Sequence, residues 1–326
     1  MRKVAGRYSV DLNMTSSIKT MRLCPLCQAE LSQHLKNARD YITGEHFDIL
    51  RCEACGLGCT SPPPQNLEPY YRDYHGNRHG KSAEFRAKRR VAFVSKNTGP
   101  GDGRKLLDFG CGDGTFLLHA RERGWLVSGT EMNPEIARSR GLDVATGLEE
   151  AASHAPFHCV TLWHCLEHLP DPVGTLSRIR DLLVPDGWLI VAVPNAGGWQ
   201  ASWFGRDWLA LDVPRHVFHY DLSSLQKLLK QRRFLPVGEA HQEFEYDILG
   251  CSQSVLNKLL PTQNLFFRLL TGKDTKAGRG ERIVSWIAGM GLSCAAVPAV
   301  LAGTLFKRGG TLIVSARRTE GSVESS

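Results

Sequence analysis

The first twenty residues (MRKVAGRYSVDLNMTSSIKT) contain no apolar run, which argues against a secretory signal there. Without that signal, ten cysteines in a chain of 326 residues do not read as a disulfide framework. Five fall between positions 24 and 59, and the others are scattered singly through apolar segments. The glycine-rich stretch after Phe109 lacks the third glycine of G-x-G-x-x-G, because position 115 is threonine, and this disfavours a dinucleotide-binding turn. No large excess of charge is present: 22% charged against 42% apolar residues excludes wholesale disorder. The net charge of +7, with a pI near 8.9, favours anionic partners such as phosphates, nucleic acid or an acidic membrane surface without choosing among them.

What is present divides the chain. Its length fits one large domain with an accessory module. Residues 1–20 read as a flexible tail. Cys24-Pro25-Leu26-Cys27 and Cys52-Glu53-Ala54-Cys55-Gly56, separated by 24 residues, read as two metal knuckles. Thiolates at that spacing suit a tetrahedral zinc site held by Cys24, Cys27, Cys52 and Cys55. Cys59 is a conceivable substitute for Cys55, but the paired spacing favours Cys55. A closed four-thiolate site leaves no open coordination position, so such a zinc is structural. The module is assigned residues 21–66, ending after the proline run 62–64. Residues 67–103 form an aromatic linker (Tyr70 to Gly76) and a basic leading helix (Ser82 to Lys96).

Residues 104–245 carry the main pattern. Lys105 to Phe109 is a buried strand that runs into glycines 110, 112 and 114 and then into an amphipathic helix from Thr115. The glycines clear side chains from a place where a ligand approaches backbone, and they permit positive φ. Trp125 to Thr130 is a second strand ending at Glu131, 23 residues after Asp108, a strand–helix–strand distance. Further strands are expected at 142–145, 157–164 and 186–194, with helices between them. That alternation predicts an α/β fold with a parallel sheet and helices on both faces.

The spacing G-x-G-x-G after Asp108 resembles the first motif of class I S-adenosylmethionine-dependent methyltransferases. WHCLEHLPDP (163–172), LLVPDGWLIVAVPN (182–195) and LDVPRHVFHY (211–220) resemble the subgroup containing ubiquinone-biosynthesis O-methyltransferases and enzymes of surface-sugar and lipid pathways. The resemblance covers residues 104–245 and returns near 310–317. The cysteine module with its YYRDYHG follow-on resembles the leader of such enzymes and of sugar C-methyltransferases. It implies a Rossmann-like seven-stranded sheet and S-adenosylmethionine as cofactor. Asp108 would fix the loop, with Gly110, Cys111, Gly112 and Gly114 at the cofactor. Glu131 would bind ribose hydroxyls beside Met132, Leu148 would flank adenine, and His164 would line the methionine end.

Methyl transfer from a sulfonium needs alignment, exclusion of water and, for a hydroxyl acceptor, removal of a proton. Histidine suits that last task near neutral pH, and His168 and His216 are the candidate bases. A polar residue followed by Pro-Pro-aromatic, the mark of many amino-methyltransferases, is absent after strand four, where Trp163-His164-Cys165-Leu166 stands. Nucleic acid is therefore not the expected partner. The reading is O-methylation of a small, sugar-like or lipid-linked acceptor. Sugar C-methylation is the nearest alternative, although enzymes of that kind usually continue into a further domain for which this chain has no room. A zinc-finger rRNA base methyltransferase and an inert cofactor-binding module are the others. Neither the acceptor nor the oligomeric state follows from the sequence.

Residues 246–309 form an apolar and basic insertion before the last core strand (310–319), and 320–326 is a tail. Ile283 to Phe306 runs for 24 residues without a charge, long enough to span a bilayer. The strands before and after it belong to one sheet, which objects to a single crossing. Pro298 and the glycines at 289, 291 and 303 instead predict a broken helix or hairpin. It is expected either to meet an anionic membrane surface, through residues 255–308, or to pack as a cap. Ile313 to Arg317 is expected to pair antiparallel at the sheet edge. The expected location is cytoplasmic, peripheral on the inner face of the membrane.

Overall fold

The structure, a computed structural model, describes residues 22–64, 66–71, 81–273 and 275–320. The expected tail 1–20, residues 72–76 of the aromatic linker and residues 321–326 lie outside it. Three strands open the described chain: β1 (Leu31–Arg39), β2 (His46–Cys52) and β3 (Gly58–Ser61), paired antiparallel in that order. Helices α1 (Glu68–Tyr71) and α2 (Lys81–Thr98) lead into the core. There β4 (Lys105–Phe109), α3 (Thr115–Glu122), β5 (Leu126–Thr130), α4 (Glu135–Ser139), β6 (Val144–Ala145), α5 (Leu148–Ala151) and β7 (Phe157–Trp163) alternate. They are followed by α6 (Pro172–Leu182), β8 (Leu183–Pro194), α7 (Trp199–Phe204), β9 (Phe218–His219), α8 (Leu222–Gln231) and β10 (Phe234–Ala240). Three helices, α9 (Phe244–Leu259), α10 (Leu265–Leu270) and α11 (Arg279–Leu305), precede the final strand β11 (Thr311–Arg318).

The seven-stranded sheet has the order β10-β11-β8-β7-β4-β5-β6. Strands β4 to β8 are mutually parallel, and β11 runs antiparallel to both of its neighbours. Central strands are apolar on both faces because helices cover both: Leu106, Leu107, Val160, Leu162, Ile190 and Val191 are all fully buried. Local signals fix the helix starts. Asp171 caps α6 by accepting from Gly174 N–H, and Asp221 and Ser224 form a reciprocal box at α8.

Three expectations need correction. The last strand is not at the edge: β11 lies between β8 and β10, and Leu312, Ile313, Val314 and Ala316 are buried there, so the edge falls to β10 with its Pro236 and Gly238. Strand β10 stops at Ala240 and α9 begins at Phe244, so the helical excursion starts before residue 246. The uncharged stretch is neither broken nor a hairpin; α11 is one helix with Pro298 inside it. Two of its glycines mark close packing instead of breaks, and Gly291 faces open space. A Cβ at Gly289 would collide with the Phe266 ring, and Gly303 lies against the backbone of Arg308 and Gly309.

The cysteine module is not a separate body. β9, from the long loop after β8, adds a fourth strand to its sheet through Gly58↔His219 and Cys59↔Phe218.

Candidate cofactor and acceptor site

The knuckles converge as their spacing predicts. Cys24, Cys27, Cys52 and Cys55 bring their sulfurs within 4.8 Å of one another. Cys24 Sγ lies 3.6 Å from Cys55 Sγ, and Cys27 Sγ lies 3.4 Å from Cys52 Sγ. Four thiolates about 2.3 Å from a tetrahedral zinc stand roughly 3.8 Å apart, so the cluster can hold that ion with little adjustment. Each knuckle is closed by a backbone bond, Gln28 N–H to Cys24 O and Gly56 N–H to Cys52 O, with Gln28 and Gly56 both at positive φ. Cys59 is buried but stands outside the cluster.

In the large sheet the chain turns opposite ways on the two sides of β4: β5 lies on one side and β7 on the other. Ligands of such sheets enter the crevice at the carboxyl ends of those strands. Gly110, Gly112 and Gly114 lie there with φ of 74°, 56° and 77°. A Cβ at Gly112 would meet nothing within 4 Å, so this glycine faces open space. At the end of β5, Glu131 reaches back over the turn, and its carboxylate accepts from Gly112 N–H at 3.0 Å and Asn133 N–H at 3.3 Å. Asp108 is buried beneath the turn and accepts from the Thr161 hydroxyl at 2.6 Å. Burial pushes its carboxyl up to about 7, against the opposing pull of Thr161 and Arg90. Met132, the residue after Glu131, is exposed, and Leu148 opens α5. Cys111 is turned away: its thiol packs under Gly129 in the core and its N–H bonds Thr130 O.

His164, at the end of β7, adopts φ +55°, a left-handed conformation uncommon for residues other than glycine. Its Nε2 lies 2.7 Å from a Glu243 carboxylate oxygen and its Nδ1 3.5 Å from Glu167, while its ring stacks on Tyr246 at 4.6 Å. Burial opposes a charge on this ring, but the two carboxylates outweigh it and raise the imidazole to about 9. Glu243 is also gripped by Arg90, at 2.6 and 3.1 Å, and Arg90 lies 4.7 Å over the Trp163 ring. Arg90, Glu243 and Tyr246 were not anticipated from the sequence. They come from α2 and the start of α9, far from the motifs, and no local pattern marks them.

His168 and His216 are brought together, their rings edge-on at 4.5 Å. His216 Nδ1 lies 2.9 Å from Ala210 O, positioned to donate. His168 Nδ1 lies 3.1 Å from Arg215 O and 3.0 Å from the Tyr71 hydroxyl. Burial and the neighbouring His216 hold His168 down to about 4, so it is neutral at physiological pH. Glu167, 1% exposed, faces the pair. The loop carrying His216 is held from the cysteine module: Arg215 pairs with Asp40 at 2.8 Å, both fully buried, and with Asp212 at 2.6 Å. Thr60 donates to His216 O at 2.6 Å, and its hydroxyl lies 3.0 Å from His219 Nε2.

Residues 78–235, just under half of the chain, match the profile of a methyltransferase domain family. By that match and by the relatives that follow, the chain is similar to class I S-adenosylmethionine-dependent methyltransferases. It is 30% identical over 140 residues to a ubiquinone biosynthesis O-methyltransferase of Salmonella paratyphi A, covering 39% of this chain and 58% of that one. With the enzyme of the same description from Klebsiella pneumoniae it shares 29% identity over 199 residues, 56% of this chain and 80% of the other. A solved 1,6-didemethyltoxoflavin-N1-methyltransferase from Burkholderia thailandensis is 18% identical, with a TM-score of 0.47, over 87% of this chain and all of that one. The cofactor of this methyltransferase class is S-adenosylmethionine, and the open Gly112 turn under Glu131 is chemically suited to its nucleoside part.

Proposed function

We propose that the protein methylates an oxygen of a small, sugar-like or lipid-linked acceptor, drawing on contact between residues 255–308 and an anionic membrane. What supports the reading is a glycine turn under Glu131 at the end of β4 and, after the end of neighbouring β7, His168 in ring contact with His216. Asp108, Gly110, Gly112, Gly114, Glu131, Met132 and Leu148 are assigned to the cofactor. Cys111 is assigned only a structural part, because its side chain serves the core.

Bound S-adenosylmethionine supplies a methyl group already activated on a sulfonium. The remaining work falls to this chain's residues. The ion-paired group Arg90–Glu243–His164 builds a rigid polar wall at the carboxyl end of β7. His164 is therefore assigned a positioning part there in addition to lining the methionine end. His168, held neutral, is assigned the acceptor's proton, with His216 beside it. Glu167, facing both rings, would stabilise the imidazolium that results.

Incubation of purified protein with methyl-labelled S-adenosylmethionine and fractionated cell extract tests the reading. Label is expected in a small or lipid-extractable product, as a methyl ether, and the His168→Gln and His216→Gln variants should bind cofactor but transfer far less. Label found in RNA, or on carbon or nitrogen of the product, would overturn it.

A further inference from the structure

Helix α11 leaves one whole side uncovered, and that side carries no charge from Ile283 onward. Ile283, Ile287, Met290, Cys294, Pro298, Leu301 and Leu305 recur at helical spacing and are all exposed, Ile287 by 68% and Leu305 by 78%. The opposite side is occupied. Gly289 seats the Phe266 ring, Ser293 donates to Ser252 at 3.2 Å, and Ser285, Ala296, Val300 and Gly303 are buried. At 1.5 Å per residue the bare stripe extends for roughly 30 Å, well beyond the scattered apolar side chains of an ordinary surface.

Both ends of the stripe are basic. Lys276, Arg279 and Arg282 are exposed at the start and Arg308 at the finish, beside Lys307, which is bonded to Glu239 at 2.9 Å. The acid at the helix start, Glu281, is turned inward to the Thr262 backbone N–H and hydroxyl. At the far end Trp199 and Trp203 stack at 5.5 Å, with Phe306 5.6 Å from Trp199; Trp203 and Phe306 are both exposed. Aromatic rings and cations bracketing an apolar stripe are the composition of a helix lying in a lipid headgroup layer.

We propose that α11 lies in the plane of an anionic membrane, immersed along the Ile283–Leu305 stripe, with its cationic ends on lipid phosphates. It does not span the membrane. Its other side is packed on α9 and α10, and its end is tied back to the sheet by Trp199 N–H to Arg308 O and Asn195 Nδ2–H to Gly309 O. A second copy is the poorer occupant, because apposing two such stripes brings like charges together at their ends. The inference deepens the reading of a membrane contact, and its test needs neither cofactor nor acceptor.

Full-length protein is spun with vesicles of phosphatidylcholine alone and with vesicles containing phosphatidylglycerol. Binding to the anionic vesicles is expected, weakened but not abolished by salt, since screened attraction and apolar burial both contribute. Ile287→Glu/Leu301→Glu, two exposed positions, should weaken it roughly tenfold or more, with circular dichroism and S-adenosylmethionine affinity unchanged. Wild type that ignores both vesicle types, or a double variant that binds as well as wild type, overturns the proposal. So does a lipid-free dimer that the double variant dissociates, which would make the second copy the occupant. Failure of methyl transfer with intact vesicle binding would instead count against the acceptor reading alone.

Discussion

Stability in the alkaline range should depend on His164. Its ring is enclosed by Glu243 at 2.7 Å, Glu167 at 3.5 Å and Tyr246 in stacking contact, and these neighbours raise it to about 9. In the unfolded chain the same imidazole titrates near 6.5. The folded state therefore binds more protons between those values. The stability it contributes is fully present below about pH 6.5 and is lost as pH rises through about 9. That gap is worth roughly 3 kcal/mol, at about 1.4 kcal/mol per tenfold. His168, held to about 4, and His219, held to about 3, act in the other direction: both stay neutral in the fold, so stability also falls as pH drops below about 6.5. Urea unfolding from pH 6 to 9.5, in buffers holding zinc constant, should give a dome for wild type. In His164→Gln the protein should be less stable at pH 7, because two carboxylates lose their cation, and the alkaline limb should flatten. Cysteine ionisation in the unfolded chain is common to both proteins and cancels in the difference. An alkaline slope identical in the two proteins would refute the assignment of a charged His164.

Removing zinc with a chelator, or Cys24→Ser, should lower the metal content of freshly purified, reduced protein from about one per chain. Through the β3–β9 pairing and Thr60 it should also speed hydrogen exchange over residues 211–220, while exchange in β4 and β7 stays slow; equal exchange before and after would separate the module from the loop. Asp40→Asn takes one of two paired carboxylates, Asp40 and Asp212, from buried Arg215 and should cost about 3 kcal/mol in denaturant unfolding, and a variant as stable as wild type would contradict this. Gly112→Val places a side chain in open space at φ 56°, so loss of cofactor binding should far exceed loss of stability.

What could be read from the sequence was local. The strand, glycine turn and helix from Lys105 to Glu122 and the two cysteine knuckles are each specified within a few residues, and all formed where their spacing placed them. The five parallel strands followed from alternation of apolar runs. What escaped the sequence was long-range. Glu243 meets Arg90 across 153 positions, and Arg215 meets Asp40 across 175, with no composition signal at either partner. β9 is two residues long, too short for any periodicity, yet it joins the cysteine module to the core. The edge assignment of the last strand failed because antiparallel insertion between β8 and β10 leaves the same apolar pattern as a covered edge. Gly289 and Gly303 suggested breaks only because their packing partners, Phe266 and the Arg308–Gly309 backbone, could not be seen, while Pro298 is accommodated inside the helix.

Calorimetric titration of S-adenosylmethionine into wild type and Glu131→Ala tests the central claim most directly. Glu131 is the acid that arches over the open Gly112 turn. Wild type should bind one equivalent, and the variant should lose about 1.5–3 kcal/mol, the scale of hydrogen bonds to a charged group, while NADH produces no heat in either. Equal affinity in the two proteins, absence of S-adenosylmethionine binding, or binding of NADH in its place would contradict the account.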